Sequence, residues 1–187
     1  MEQNRTALIT GGTSGIGEET ALQLARLGWS VWIHGRNSEK VQTVVEKIKN
    51  ATSNQRIFGI NANLSDPKQL PIFVEQIQSQ IPALNVLINS AGLINDGFRK
   101  INEFEETWFV NHLVPCYLAI HLKDHLIKNS QELAPSRIVF VSSAIHQSAR
   151  IHFDDINLEN NFRAWTAYGQ SKLAVILFAY AYARGID

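Results

Sequence analysis

Thr10-Gly11-Gly12-Thr13-Ser14-Gly15-Ile16-Gly17 is the stretch on which the fold turns. It follows Thr6–Thr10, a short apolar run that reads as a strand. It opens a segment of helical spacing through Leu27, with Gly28 where a helix C-terminal glycine belongs. Glycines between a strand and a helix let the chain turn tightly, let a pyrophosphate approach the backbone and let the helix pack closely on the sheet. The N–H groups at the helix start then face an anion, helped by the helix dipole. This order points to a dinucleotide site, with Gly11, Thr13, Ser14, Gly15, Ile16 and Gly17 around the phosphates. The alternative is a tight turn with a structural role only.

Outward from this turn, short apolar runs alternate with amphipathic segments. Strands are expected at 30–34, 56–60, 85–89 and 137–142, and helices at 39–50, after Asp66-Pro67, at 103–128 with a bend near Pro115, and at 164–183. Runs such as Val-Leu-Ile-Asn and Ile-Val-Phe-Val are nearly continuous, as suits strands covered on both faces. The expected fold is α/β: a Rossmann-type, doubly wound parallel sheet in three layers, forming one NAD(P)-binding domain over 1–187.

Composition narrows the functional classes. The 187 residues carry 17 Lys+Arg against 17 Asp+Glu, which removes any general electrostatic case for binding nucleic acid or an anionic membrane. Hydrophobic residues make up 45% of the chain, enough for a sizeable core. One cysteine, Cys116, excludes an intramolecular disulfide framework and a cysteine-rich zinc site. No signal-peptide core or membrane-spanning run is seen, so a cytoplasmic or other intracellular location is expected. His121 and His125 have a metal-binding spacing, but no third ligand is evident and no metal is assigned.

The end of the second strand selects between NAD and NADP. A carboxylate there would hold the adenosine ribose hydroxyls of NAD. The sequence instead reads His34-Gly35-Arg36-Asn37. Arg36, with Asn37 beside it, is suited to a 2′-phosphate, so NADP(H) is favoured over NAD(H). The alternative for Arg36 is a solvated surface position.

Together with Tyr168-Gly-Gln-Ser-Lys172, the chain resembles the short-chain dehydrogenase/reductase family over about residues 5–187. Thr10, Gly11, Gly15 and Gly17 match its glycine motif. Asn89-Ser90-Ala91-Gly92 matches its Asn-Asn-Ala-Gly motif, with serine for the second asparagine. Asn111, Ser143, Tyr168 and Lys172 match its helix asparagine, strand-end serine and Tyr-x-x-x-Lys pair. The segment from 137 through His146, Phe153-Asp-Asp-Ile-Asn157 and Tyr168 is similar to the retinol-dehydrogenase-like branch, which includes the WW-domain oxidoreductase.

Residue chemistry and resemblance together give an expected reaction: carbonyl reduction or alcohol oxidation on a small lipophilic substrate. Tyr168 and Lys172 are four apart and share one helix face. A free tyrosine titrates near 10, and an ammonium nearby favours its phenolate, suiting it to exchange a proton with a substrate oxygen. Standing alone, the two would read as a surface pair. Ser143 would bond the same oxygen, and Ser142, facing the other way, is expected to be a bystander. The resemblance implies that Lys172 also holds the nicotinamide ribose and that Asn111 supports a water-linked proton path. It places Asn63 and Leu64 by the adenine, although the family often has aspartate at position 63. Asn89, Ala91 and Gly92 are placed along the cofactor, Asn89 with an equal case as a structural strand-end residue.

The resemblance further implies a sixth strand after Ala183-Arg-Gly-Ile-Asp187, then a substrate loop and a seventh strand, at ~30 residues per strand–helix unit. The 187 residues do not contain them. The expectation is therefore five strands with the fifth at a sheet edge, and two alternatives: a catalytic chain, or a truncated form that binds cofactor or a partner with little catalysis. Family members dimerise through the helices expected at 103–128 and 164–183, implying a homodimer; burial within the monomer is the alternative for their apolar faces.

Overall fold

A computed structural model of the chain describes residues 5–131 and 134–185. The extreme ends of the expected 1–187 unit, including Ile186 and Asp187, lie outside the described residues. The main sheet contains β1 (Thr6–Thr10), β2 (Ser30–Gly35), β3 (Ile57–Asn61), β4 (Val86–Asn89) and, later in the chain, β7 (Arg137–Phe140). They pair in parallel in the order β3-β2-β1-β4-β7. The strand order reverses at β1, so β1 and β4 lie side by side while their following helices cover opposite faces. A crevice at their C-terminal ends follows from that reversal.

Two apolar clusters fill the spaces on either side. On one, Ile9, Val31, Ile33 and Ile88 pack with α1 (Gly15–Arg26) and α2 (Ser38–Thr52). On the other, Leu8 and Leu87 pack with Phe73 and Ile77 of α3 (Gln69–Gln80) and Leu118 of α5 (Val114–His121). β1 and β4 are buried at every position because both faces are covered. β7 ends the sheet, paired only with β4, and Val139 is 41% exposed.

The region expected as one helix over 103–128 is composite. A small antiparallel hairpin comes first, β5 (Lys100–Ile101) against β6 (Phe104–Glu105). Glu105 then accepts the N–H groups of Thr107 and Trp108, so the helix begins there as α4 (Glu106–Trp108). A π turn at Phe109–Leu113 joins α4 to α5, and α6 (Lys123–Lys128) continues after a break at Leu122. The irregularity lies just before Pro115. Proline has no N–H to offer the Asn111 carbonyl, and the wider ladder shows in the Val114 N–H bond to Phe109 oxygen. The final helix, α7 (Ala164–Arg184), packs against this π turn, and Tyr182 donates to the Ala119 carbonyl at 2.7 Å.

Candidate active site

The crevice is a cleft of about 1200 Å³ across the C-terminal ends of the strands. At its floor, Thr10 Oγ accepts the N–H groups of Ser90 and Ala91, both at 3.1 Å, tying the β1 and β4 ends together. Gly11 has φ +65°, and a Cβ there would stand 2.7 Å from Ala91 Cα. At Gly17 a Cβ would stand 2.4 Å from the Gly11 carbonyl oxygen. These positions require glycine: the turn, the first helix and the β4 end occupy all the space a side chain would need.

Ser14 precedes α1 without a side-chain cap, so the first-turn N–H groups are left for a ligand or water. Gly11, Thr13, Ser14, Ile16 and Gly17 line the cleft; Gly15 instead sits on a separate groove with Glu18 and Lys47. Arg36 and Asn37 line its far end, both exposed. The Asn37 side-chain oxygen caps α2 by accepting the Lys40 N–H at 2.8 Å. Asn63 and Leu64 also line the cleft, where Asn63 Oδ1 accepts the Ser65 N–H at 3.1 Å.

The other end gathers Ala91, Gly92, Ser143, Tyr168 and Lys172 on the cleft wall. Lys172 is buried, its Nζ donates to the Val141 carbonyl at 2.9 Å and lies 5.6 Å from the Tyr168 ring centre, and burial lowers its pKa. Asn111 stands behind this wall, outside the cleft. Its side chain accepts the Leu93 N–H and donates to the Leu93 carbonyl, both at 2.8 Å, and donates to Ser171 Oγ at 3.1 Å. A Cβ on Gly92 would come within 3.2 Å of Asn111 Oδ1 and 3.4 Å of Lys172 Nζ, so three positions distant in sequence converge. Asn89 is buried beneath the cleft, with both side-chain amide atoms unpartnered. Ser143 heads a 3₁₀ turn at Ala144–Ser148, and His146 Nδ1 donates to the Ser143 carbonyl at 2.6 Å.

Several cleft residues have no counterpart in the sequence reading. Lys40, in the first turn of α2, stands with Arg36 at the far end, and a second cation four residues past Arg36 was the available signal. Trp165 lies one turn before Tyr168, their rings edge-to-face at 6.1 Å. Ser142, expected to face the other way, instead lines the cleft, and its hydroxyl donates to the Lys172 carbonyl at 2.8 Å. With the Lys172–Val141 bond, it cross-ties the β7 end to α7. His121 packs at a tilt against Tyr117, ring centres 4.1 Å apart, and His125 Nε2 donates to the Ile81 carbonyl at 2.7 Å. Among the described residues no cluster of three or more His, Cys, Asp or Glu side chains is arranged to hold a metal, and no helix is long and apolar enough to cross a membrane.

The family model described as short chain dehydrogenase matches residues 5–186. Human polyprenol dehydrogenase is 39% identical over 178 residues, covering 95% of this chain and 54% of the relative. Human retinol dehydrogenase 11 is 39% identical over 181 residues, covering 96% and 56%. The chain thus spans about half the length of the curated relatives it matches. Among solved structures, the Pseudomonas aeruginosa RhlG/NADP active-site complex superposes with a TM-score of 0.79 at 22% identity, covering 97% of this chain and 67% of that one. A putative short chain dehydrogenase from Escherichia coli CFT073, complexed with NADPH, superposes with a TM-score of 0.76 at 26% identity, covering 97% and 71%.

Proposed function

This chain belongs to the short chain dehydrogenase family, and on that premise we propose that it interconverts a carbonyl and an alcohol on a lipophilic substrate with NADP(H). One observation carries the reading. A single cleft has uncapped helix N–H groups and two cations, Arg36 and Lys40, toward one end, and Ser143, Tyr168 and Lys172 at the other. The glycine turn fits a pyrophosphate, because Gly11 and Gly17 hold it tightly against the β4 end and leave the first-turn N–H groups of α1 uncapped at the cleft.

The cofactor, when bound, supplies the hydride chemistry. The protein supplies the rest. The α1 N-terminus receives the phosphates, and Arg36 with Lys40 meets a 2′-phosphate. Ser143 holds the substrate oxygen, and Tyr168 gives that oxygen its proton in reduction or takes it in oxidation. Lys172 favours the phenolate form and holds the nicotinamide ribose, with Asn111 bracing the wall behind it. Asn63 and Leu64 meet the adenosine, while Asn89 supports the β4 end. The region works as one nucleotide-binding unit.

A lipophilic substrate is supported by the apolar mouth of the cleft. Trp165 is 67% exposed there and Ile94 43%. The relatives named polyprenol and retinol dehydrogenase point the same way.

Purified chain given NADPH and a panel of long-chain aldehydes and ketones should consume NADPH. Tyr168→Phe should lower kcat by about 10²–10⁴-fold while leaving the NADPH Kd within about twofold. Undiminished turnover in that variant overturns the mechanism. Exposed Ile120, Ile127, Leu177 and Tyr180 on α5, α6 and α7 support self-association through these helices. Sedimentation equilibrium should show a dimer, and a strict monomer at high concentration rejects it.

A further inference from the structure

Two consecutive amides of the glycine turn end on one residue. The Gly12 N–H donates to the His34 carbonyl at 2.9 Å, and the Gly11 N–H donates to His34 Nδ1 at 3.3 Å. The second ring nitrogen, Nε2, lies 3.1 Å from the Ala62 carbonyl oxygen. An amide N–H only donates and a carbonyl only accepts. The ring is therefore the neutral tautomer with its proton on Nε2. It is buried at 3% exposure and packs on Phe73, ring centres 4.8 Å apart. Burial pushes its pKa down to about 4, in keeping with a neutral ring.

The two groups joined by this ring belong to different parts of the cleft. Gly11 opens the phosphate turn after β1, at a positive φ that the chain must be held in. Ala62 follows β3 and leads into Asn63 and Leu64. The Gly11 and Gly12 amides are spent on His34, which leaves the later amides of the turn for the anion.

We propose that His34 is a positioning residue for nucleotide binding: its ring locks the phosphate turn to the end of β3, so that one rigid frame meets both the pyrophosphate and the adenosine. The inference rests on the nucleotide reading of the cleft and assigns His34 no contact with the 2′ position. It therefore acts on NADPH and NADH alike, unlike Arg36.

The test is calorimetric titration of the full chain with NADPH and with NADH, at a temperature where circular dichroism shows each variant folded. His34→Phe keeps a ring against Phe73 and removes both hydrogen bonds. Its Kd should rise about tenfold for both nucleotides. His34→Asn places an acceptor where Nδ1 stood and should bind more tightly than His34→Phe. A residue that merely fills space gives the opposite order. A folded His34→Phe that matches wild type, or that outbinds His34→Asn, overturns the proposal. If His34→Phe does not fold, His34→Leu replaces it: it should bind less tightly than His34→Asn, and the reverse order overturns the proposal. Wild-type chain that binds neither nucleotide overturns the cofactor reading itself, and this inference with it.

Discussion

The two ends of the cleft are built differently. The phosphate end stands on β1 and β4, whose residues are all buried, and its backbone is pinned from beneath by Thr10 and His34. The Tyr168 end stands on β7, a sheet edge with no fully buried residue, and on α7. There the ties are polar: Lys172 to Val141, Ser142 to Lys172, and Gln170 to the segment before α7. Apolar burial is strong and indifferent to direction, whereas hydrogen bonds are individually weak and geometrically exacting. The phosphate end is thus set by the stability of the core. The Tyr168 end, where α7 buries Ala167, Ala174 and Val175 but β7 has no fully buried residue, leans more on these bonds.

Neighbouring strands give the largest contrast. Leu87 of β4 is fully buried, and Leu87→Ala should cost about 2–5 kcal/mol of unfolding free energy in urea. Val139 of β7 pairs in register with Ile88 and is 41% exposed, so Val139→Ala should cost less than about 1 kcal/mol. Equal costs would remove the distinction between the two ends.

Acid offers the next. His34 has a folded pKa of about 4 against 6.5 for a free histidine. The unfolded chain therefore binds the proton more readily, and stability rises with pH across that window. It is fully present above about pH 6.5 and should fall by about 3 kcal/mol as pH drops to about 4, from this residue alone. His112, in the π turn, is likewise pushed down to about 4 by burial and adds a loss of the same sign. Urea titrations at both pH values, in wild type and His34→Asn, should show the variant losing less on acidification. An identical pH slope would mean that His34 is not buried as a neutral ring.

The same division decided what the sequence made legible. β1 and β4 announce themselves because a strand covered on both faces must be continuously apolar, and the glycine turn because its space is already occupied. Gly11 and Arg36 follow the ends of β1 and β2, Ser143 follows β7, and Tyr168 and Lys172 share one face of α7, so all five could be placed by motif. The helix expected over 103–128 fared less well. Its true start depends on Glu105 capping after a hairpin, and its π turn on Pro115 and on the two bonds Asn111 makes to Leu93, 18 residues away. No local periodicity carries contacts of that span. The facing of Ser142 was not legible for a related reason: strand alternation does not reach past Phe140, where β7 ends.

Gln170 gives a modest effect and the most discriminating one. It stands between Tyr168 and Lys172 but turns away from the cleft, almost fully buried. Its side chain accepts the His152 N–H and donates to the Ile156 carbonyl, each at 2.8 Å. Asn157, next along, accepts the Glu105 N–H at 2.9 Å and donates to the Glu103 carbonyl at 2.8 Å. The segment 149–163 is thereby strapped between α7 and the hairpin that leads into α4. Gln170→Ala should free the strap at a cost of about 1–3 kcal/mol, since two hydrogen bonds of a buried side chain are lost. Hydrogen exchange should quicken over 149–163 and stay unchanged in β1 and β4, and NADPH affinity should hold while kcat falls. If exchange quickened equally in β1, the two ends would be a single cooperative unit and the polar ties would have no separate role. Exchange confined to the strap, with cofactor binding intact, makes the Tyr168 end a separately adjustable part built against a fixed nucleotide frame.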